Sequence, residues 1–368
     1  MLFATAARRA GAAVGLAVAH YATNGARDVA RSEAAPAALR FGLVTDIQYC
    51  DVDDAQNYGG TETRFYRGSL EGAKRAADGF REAKSDGGLA FVAQLGDLVD
   101  GQNAGGYGAG LKWKGAPNSK KALADVLAAM DGCDAPHFHC VGNHELYNFS
   151  PSELVEGPLN RGRHAVAKDG SLYFSFERDG WTFVVLNPYE VSSSLPKQSP
   201  GYAAAAALLR AENPNPVLDG PCDFFEGLEG PSLRFVPFNG GLGDAQLAWL
   251  AATLEEAGDA PVVVFSHLPV FAGCASWRNV AFDAPEALAL LQKAGNVVAV
   301  FAGHSHRGGF AVDETGLAHC VVEATLTHET AYAVCCCGAD GSLEMVGAGS
   351  VPSRDIAAPR RVAAARRR

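Results

Sequence analysis

The sequence lacks the features of several large protein classes. No apolar run approaches the roughly 20 residues that a membrane-spanning helix needs, and the longest, residues 10–19, is about half that length. There is no Gly-Lys dipeptide, which excludes a Walker A loop, and neither a GxSxG nor an HExxH motif occurs. Residues 51–62 superficially resemble a calcium loop, but Gln56 stands where the turn glycine belongs and Ala55 occupies a ligand position. We therefore expect no membrane span, no P-loop and no EF-hand.

Positive charge is scarce in the central part of the chain. The 368 residues carry a net charge of −10, with 31 Lys and Arg against 41 Asp and Glu. Residues 1–40 have a charge of +3 and residues 353–368 have +5, which leaves −18 for residues 41–352. An acidic body does not favour a nucleic-acid partner, whose binding depends on neutralising phosphates. Neither a nucleic acid nor a membrane is an expected partner, and we expect a monomer.

The cysteines and the two basic termini bear on the cellular location of the protein. The nine cysteines are an odd number, and residues 335–337 are three in a row within an apolar run, which favours reduced thiols over disulfides and an intracellular location. Residues 1–40 are rich in Ala and Arg, with no acid before Asp28, which is typical of a plastid or mitochondrial transit peptide. A secretory signal and a disordered segment are the alternatives, and without a transit peptide we expect the cytosol. Residues 353–368 are assigned as a basic tail, and the arginine-rich run 360–368 is interpreted as solvated.

The central part, residues 41–352, alternates apolar strands with amphipathic helices and has no internal repeat or linker. Strands are predicted at 40–47, 89–95, 136–141, 261–265 and 297–301, with a hairpin over 172–186 and short strands from 309 to 347. Helices are predicted near 65–83, 119–130, 201–211 and 244–257. The pattern predicts one α/β domain with a late β-rich section.

Polar side chains recur at the carboxyl ends of the buried strands. Each alone has a structural explanation, since an Asp after a strand is often a helix cap and a lone His is often a core residue. Together they predict a metal site, because open α/β sheets place their sites at this edge. The number of candidates exceeds the three or four ligands of a zinc site, and mixed oxygen and imidazole donors favour two ions of Mn²⁺, Mg²⁺ or Fe that share a carboxylate. The candidate ligands are Asp46, Gln48, Asp97, Asn143, His267, His304 and His306.

As a set, these motifs resemble those of the calcineurin-like metallophosphoesterases. Five motifs follow the order of that family: Asp-x-Gln (46–48), GDxxD (96–100), GNHE (142–145), a lone His (267) and GHxH (303–306). The usual first motif of the family is Asp-x-His, whereas Gln48 replaces the His here. With this departure, the chain resembles the manganese-dependent ADP-ribose/CDP-alcohol diphosphatases over residues 41–354. Further matches to that branch are QNYGGT (56–61), RFYR (64–67), HELYNFS (144–150) and FNGG (238–241).

The resemblance implies a fold and a set of residue roles. The implied fold is an αββα sandwich, in which two mixed sheets are flanked by helices and the site lies at the carboxyl ends of strands. His144 would stabilise the transition state or protonate the leaving phosphate, and Asp100 would orient His144. The cofactors would be two divalent ions, Mn²⁺ first, with Mg²⁺, Zn²⁺ or Fe as alternatives. The implied ligands are Asp46, Gln48, Asp97 and His306 for one ion and Asp97, Asn143, His267 and His304 for the other, with Asp97 bridging.

The resemblance also implies a reaction on nucleoside-diphosphate substrates. The expected reaction is hydrolysis of the diphosphate bond of ADP-ribose or of CDP-alcohols such as CDP-choline and CDP-glycerol, with release of AMP or CMP. Cyclic phosphodiesters are a candidate second substrate class. Two alternatives stay open: a phosphomonoesterase or protein phosphatase of the same superfamily, and a non-catalytic scaffold with this fold. The candidate substrate contacts are Asn57, Arg64, Arg67, Asn239, Phe271 and Cys274.

Overall fold

The computed structural model describes residues 39–57, 59–105 and 117–365 of the chain. The predicted targeting segment lies outside these residues, except for Leu39 and Arg40, which begin the first strand. The folded domain thus starts two residues before the boundary predicted at residue 41. None of the helices in the described ranges is both long and apolar enough to cross a membrane.

The elements of the described residues are as follows. The strands are β1 (Leu39–Val44), β2 (Ala55–Gln56), β3 (Thr63–Arg64), β4 (Phe91–Gln94), β5 (His137–His139), β6 (His164–Ala165), β7 (Phe174–Arg178), β8 (Trp181–Val185), β9 (Val191–Ser192), β10 (Gly240–Gly241), β11 (Val262–Phe265), β12 (Val297–Ala302), β13 (Gly309–Val312), β14 (Ala318–Val321), β15 (Ala331–Cys337), β16 (Leu343–Gly349) and β17 (Arg354–Ile356). The helices are α1 (Gly68–Ser85), α2 (Ser119–Met130), α3 (Asn143–Asn148), α4 (Pro151–Glu156), α5 (Pro200–Glu212), α6 (Gly243–Glu256), α7 (Ala284–Ala294) and α8 (Arg360–Ala365).

Two mixed sheets form the framework. The first has the strand order β17-β16-β15-β1-β4-β5-β6, and the second has the order β13-β14-β12-β11-β8-β7. Strands β1, β4, β5 and β6 are parallel in the first sheet, as are β8, β11, β12 and β14 in the second. The central strands are apolar and buried along their whole length, such as VVVF in β11 and VVAVFA in β12. Such runs are typical of parallel strands that are covered on both faces.

An aromatic layer lies between the two sheets. The ring of Phe41 in β1 stacks on that of Phe91 in β4, with 5.2 Å between centroids. Phe41 also meets Phe183 in β8 and Phe265 in β11 edge-on, each at 5.6 Å. Offset and edge-to-face pairs of this kind add to the burial of apolar area. Residues of α1 and α2, and of α6 and α7, form a separate core cluster with the other faces of the sheets. The layers are therefore helix, sheet, sheet and helix, which confirms the predicted αββα sandwich.

The strand ends that carry the candidate ligands meet at one edge. The amide of Asp46, after β1, donates to the carbonyl of Gly96, after β4, at 3.1 Å. In the second sheet the amide of Gly303, after β12, donates to the carbonyl of His267, after β11, at 3.0 Å. The two pairs are joined because the amide of His304 donates to Asp46 Oδ2 at 2.9 Å. The parallel direction of β1, β4, β11 and β12 is what brings these loops together.

The residues after the predicted end of the domain continue the first sheet. Strand β17 pairs antiparallel with β16, and Ile356 is buried there. In α8, Val362 is fully buried, and the Nε atom of Arg361 lies 2.9 Å from Asp259 Oδ1. Within the run interpreted as solvated, residues 360–365 form a helix whose side chains are mostly exposed or half-buried, and Val362 and Arg361 hold it against the domain.

Candidate metal centre

Four of the candidate ligands have an uncommon backbone conformation. Asp46, Gln48, Asp97 and His304 have φ values of +48°, +43°, +61° and +65°. Residues other than glycine rarely occupy this left-handed region, because the Cβ atom meets the backbone there. Such strain concentrates at functional sites, where the surrounding structure maintains it. The loops after β1, β4 and β12 therefore turn sharply, each at a residue that was predicted to bind metal.

Asp97 lies at the centre of the cluster and is buried. Its Oδ2 atom lies 3.3 Å from Nε2 of His267 and accepts a hydrogen bond from Nε2 of Gln48 at 2.9 Å. Its Oδ1 atom accepts the backbone amide of His144 at 2.9 Å. The ring of His267 is oriented by the carbonyl of Leu95, 2.7 Å from Nδ1, which leaves Nε2 facing Asp97. One carboxylate thus reaches both sides of the site, as a bridging ligand must.

His304 completes one side of the centre. Its Nδ1 atom lies 3.2 Å from Nε2 of His267, and the donor atoms of Asp97, His267 and His304 form a compact group that could hold a metal ion. The other ring nitrogen of His304, Nε2, lies 3.2 Å from Oδ1 of Asn239. Since Asn239 accepts the proton on Nε2, Nδ1 of His304 presents its lone pair to the cluster. Asn143 contributes an amide at the start of α3.

Asp46, Gln48 and His306 form the other side. Nε2 of His306 lies 3.4 Å from Asp46 Oδ1 and 3.1 Å from Nε2 of Gln48. The second oxygen of Asp46 is occupied, because it accepts from the hydroxyl of Thr45 at 2.6 Å and from the amide of His304 at 2.9 Å. These bonds fix the carboxylate, so Oδ1 faces Gln48 and His306.

A glycine makes the contact between the two sheets possible. A Cβ atom on Gly303 would lie 2.1 Å from the hydroxyl oxygen of Thr45 and 2.6 Å from Asp46 Oδ2. Real Cβ atoms do not approach other atoms so closely, so any side chain at this position would push the loop after β12 away from the loop after β1. The glycine of the GHxH motif is therefore needed for the close approach of the two sheets.

Glu145, which was not among the predicted site residues, holds the loop of Asp97. Its buried carboxylate accepts the amides of Asp97 and Leu98, both at 2.7 Å, and that of Gly142 at 2.8 Å. Burial, followed by the charge of Asp97, raises the pKa of Glu145 to about 7. Its place in the GNHE motif, three residues after Gly142 at the start of α3, was a signal for such a capping role.

His144, at the start of α3, lies between Asp100 and Asp97. Its Nδ1 atom accepts the amide of Gly101 at 2.8 Å and lies 3.3 Å from Asp100 Oδ2. Its Nε2 atom lies 3.9 Å from Asp97 Oδ2, on the side of the metal ligands. Because Nδ1 accepts the Gly101 amide, the ring proton of neutral His144 is on Nε2 and faces the site.

The buried carboxylates of the cluster favour positive charge beside them, as the pKa values of the neighbouring histidines show. Burial alone would raise the pKa of Asp97, but the imidazoles of His267 and His144 hold it well below its ordinary value. Burial lowers the pKa of His267, and Asp97 more than offsets this and raises it to about 9. For His306 the effect of burial is likewise outweighed by Asp46, and its pKa is also about 9. His304 differs, since burial and the charge of His267 lower its pKa to about 3.

The donor set fits divalent cations. The Oε1 atom of Gln48 is buried and accepts no hydrogen bond from any described residue, while Nε2 points towards two acceptors. A half-turn of this amide would aim the oxygen at Asp97 and His306 instead. Carboxylate, amide and imidazole donors without thiolate suit Mn²⁺ or related ions. The structure brings six of the predicted ligands into one connected cluster, and it places Asn143 at the start of α3, where the next residue, His144, donates its backbone amide to Asp97.

The predicted substrate contacts of the β2–β3 hairpin differ in their surroundings. Arg64 lies next to Glu62, whose carboxylate oxygen is 3.5 Å from Nδ1 of His306, so Arg64 borders the centre. Asn57 is engaged in its own turn, where its Oδ1 accepts the amide of Thr61 at 2.9 Å. Arg67 is half exposed, and its guanidinium pairs with Asp51 at 2.6 Å and with Asp53 at 2.7 Å.

The other three predicted contacts are largely enclosed by protein. Asn239 is fully buried and, besides its contact with His304, donates from Nδ2 to two backbone carbonyls at 2.9 Å. Both N–H groups of this amide and one lone pair of its oxygen are engaged, so Asn239 supports His304, and its role as a substrate contact stays a prediction. Phe271 packs on the ring of His319 at 4.6 Å, and Cys274 is buried with its thiol 3.1 Å from the Phe271 carbonyl.

Comparison with known proteins agrees with this geometry. Residues 39–308 match the family model of the calcineurin-like phosphoesterases. A Bos taurus protein named manganese-dependent ADP-ribose/CDP-alcohol diphosphatase is 32% identical over 308 residues, which are 80% of this chain and 86% of that protein. An Arabidopsis thaliana protein of the same name is 31% identical over 325 residues, 86% of this chain and 96% of that protein.

A solved structure shows the same likeness. A dimetal phosphatase from Danio rerio superposes with a TM-score of 0.77 at 30% identity, which covers 87% of this chain and 99% of that chain. The αββα fold, the dinuclear ligand set and the sequence likeness agree. The chain belongs to the calcineurin-like phosphoesterase family and, within it, to the group of the manganese-dependent ADP-ribose/CDP-alcohol diphosphatases.

Proposed function

We propose that this chain is a dinuclear-metal hydrolase that cleaves the diphosphate bond of ADP-ribose and of CDP-alcohols such as CDP-choline and CDP-glycerol and releases AMP or CMP. The observation that carries the proposal is the cluster of six donor residues from four strand ends, with Asn143 beside it at the start of α3. The relatives' names supply the substrate class and the metal, since they describe manganese-dependent hydrolysis of these compounds.

The chain's own residues would form two cation sites. When bound, divalent ions of this kind polarise a phosphoryl oxygen and lower the pKa of water. Asp97 reaches both sites through its carboxylate. Thr45 and Glu145 keep the loops of Asp46 and Asp97 in position through buried hydrogen bonds. The proposed ligands are Asp46, Gln48, Asp97 and His306 for one ion and Asp97, Asn143, His267 and His304 for the other.

His144 would act on the leaving group. Its Nε2–H faces the cluster, because the amide of Gly101 occupies Nδ1 at 2.8 Å. From there it would donate a hydrogen bond to the charge that develops on phosphate oxygen as the diphosphate bond breaks. The alternative, protonation of the departing phosphate, requires the doubly protonated ring, whose Nδ1–H would donate to Asp100 Oδ2, 3.3 Å away, instead of accepting from Gly101. Arg64, beside Glu62 at the border of the site, is positioned to pair with a substrate phosphate.

Product analysis with the full-length protein tests the proposal. The release of AMP and CMP from ADP-ribose, CDP-choline and CDP-glycerol is followed with Mn²⁺, with Mg²⁺ and after removal of metal. We expect Mn²⁺-dependent release of nucleoside monophosphate. An aryl phosphate and a phosphopeptide serve as comparison substrates. Faster Mn²⁺-dependent turnover of either than of all three diphosphates would retain the metal centre and overturn the substrate assignment.

A further inference from the structure

The amide of Asn143 lies between the hydroxyl groups of two tyrosines. Tyr189, which follows strand β8, donates from its hydroxyl to Asn143 Oδ1 at 3.1 Å. Asn143 Nδ2 donates to the hydroxyl of Tyr147, one turn later in α3, at 3.2 Å. Both ends of the amide are therefore engaged.

The two tyrosines are not equivalent. Tyr189 is fully buried. Among the described residues, its hydroxyl donates to Asn143 Oδ1. Tyr147 is partly exposed and makes further contacts. If the amide of Asn143 turned over, Nδ2 would face Tyr189 and the buried O–H of Tyr189 would lose its acceptor. A buried donor without a partner is costly, so Tyr189 selects one orientation of the amide.

Tyr189 is itself held firmly. Its backbone amide donates to Asn187 Oδ1 at 3.2 Å. Asn187 is bound in turn by Gln246 of α6 through two hydrogen bonds, of 2.9 Å and 2.8 Å. On the other side, a Cβ atom at Gly240 would lie 2.8 Å from Cδ1 of Tyr189, so the backbone of β10 packs directly on the ring. The hydroxyl of Tyr189 therefore has little freedom to follow a rotated amide.

We infer that Tyr189 is a positioning residue that makes Asn143 present its oxygen, and not its NH₂ group, to a divalent cation. The inference rests on the proposed function, in which Asn143 is a ligand of one of the two ions. Oxygen is a ligand for Mn²⁺, whereas an amide NH₂ group has no free electron pair and repels a cation. The hydroxyl of Tyr189 thereby controls the affinity of that ion site from outside the ligand set.

Mn²⁺ binding to the full-length protein, freed of metal and followed by titration calorimetry, tests the inference. Tyr189→Phe removes only the hydroxyl, and we expect one of the two Mn²⁺ sites to weaken about 10-fold, as is common when a group that orients a ligand is lost. The matched control is Tyr332→Phe, in which a tyrosine that packs on Phe80 at 5.3 Å loses its hydroxyl far from the site. We expect the control to bind Mn²⁺ like the unchanged protein.

The Tyr189→Phe substitution in an Asn143→Asp variant distinguishes loss of amide orientation from a general loss of structure. In Asn143→Asp the side chain has an oxygen in either orientation, so it no longer needs a hydroxyl to select one. We therefore expect Tyr189→Phe to change Mn²⁺ affinity less than about 2-fold in this background, against about 10-fold in the unchanged protein. The thermal midpoint of each metal-free variant is measured alongside.

The outcomes distinguish failure of the inference from failure of the proposed function. If the unchanged protein bound no Mn²⁺, the metal centre itself would be wrong. If it bound two ions and Tyr189→Phe bound both equally well, Tyr189 would not position Asn143. An equal loss of affinity in both backgrounds would also overturn the inference, since it would show a structural effect that does not depend on the amide.

Discussion

The pattern His-x-His occurs twice in this protein, with opposite results. His304 and His306 follow the end of β12 and face the carboxylates of Asp46 and Asp97, whereas His137 and His139 lie within β5. Both ring nitrogens of His137 are buried and have no hydrogen-bond partner among the described residues. The difference is position relative to the strand end, because the loops after β1, β4 and β12 bring His304 and His306 next to carboxylates, whereas the ring of His137 lies beside those of His139 and His164.

The charge states of the two groups follow from this difference. The pKa of His306 is raised to about 9, since Asp46 outweighs the effect of burial. The pKa of His137 is lowered to about 4 by burial and by the neighbouring His164. His139, whose Nε2 atom lies 3.0 Å from Nδ1 of His164, also has a lowered pKa because it is buried. The buried rings of β5 therefore favour the neutral form, whereas the carboxylate beside His306 favours its charged form.

The largest expected effect comes from removing the shared carboxylate. Asp97→Asn keeps the shape of the side chain but removes its charge, and we expect turnover of ADP-ribose to fall by about 10³-fold or more, with loss of Mn²⁺ binding. The matched control is Asp313→Asn, which alters another buried aspartate, 3.3 Å from Nε2 of His319 and outside the ligand set. We expect this variant to bind two Mn²⁺ ions. Turnover that survives Asp97→Asn would rule out a bridging role for Asp97.

A smaller effect is expected from the histidines of β5. The pKa of His137 lies below the unfolded value of 6.5, so the unfolded chain binds more protons, and stability is complete above pH 6.5 and falls as the pH drops towards 4. The difference corresponds to about 3 kcal/mol for this group. His137 faces His139 and His164, with Asp131 and Arg163 nearby.

Urea unfolding between pH 7 and pH 4 measures this effect. In His137→Phe the ring is kept without the titrating nitrogens, so we expect a shallower loss of stability between pH 6.5 and 4 than in the unchanged protein. Mn²⁺ binding at pH 7 should be the same in both proteins. Identical pH profiles would show that His137 is not buried as a neutral ring.

The smallest effect distinguishes the two arginines of the β2–β3 hairpin and the residues after it. Arg64 borders the centre through Glu62, whereas Arg67 is half exposed and pairs with Asp51 and Asp53. We expect Arg64→Gln to raise KM for ADP-ribose about 10-fold with little change in kcat, and Arg67→Gln to change KM less than about 2-fold. Steady-state kinetics at saturating Mn²⁺ decide this. A larger effect of Arg67→Gln would reverse the assignment.

The candidate ligands could be grouped from the sequence because the carboxyl ends of parallel strands lie at the same edge of a sheet. An apolar run predicts a buried strand, and a polar residue directly after it must lie at the same edge as the others, whatever the details of packing. Asp46, Asp97 and His267 could therefore be grouped although the first and the last are more than 200 residues apart in the chain. The alternating pattern of strands and helices predicted the fold class for the same reason.

The residues that support the ligands were less predictable. Asn239 was predicted to touch substrate, and the sequence did not indicate that its amide also supports His304 and binds two backbone carbonyls. Tyr189 was not predicted at all, because nothing after β8 indicates that its hydroxyl meets Asn143 of the first sheet. Contacts of this kind depend on the distance between two sheets and on side-chain rotation, neither of which has a repeating pattern in the sequence.

The bare backbone of Gly303 has a consequence for reading other genomes. A related chain can keep every aspartate and histidine of the motifs and still lose the pairing of the two loops. This is expected if alanine or a larger residue replaces the glycine, since the new Cβ atom would overlap the Thr45 hydroxyl. A count of ligand residues alone would overlook this loss, so the glycine of GHxH should be checked together with the ligands.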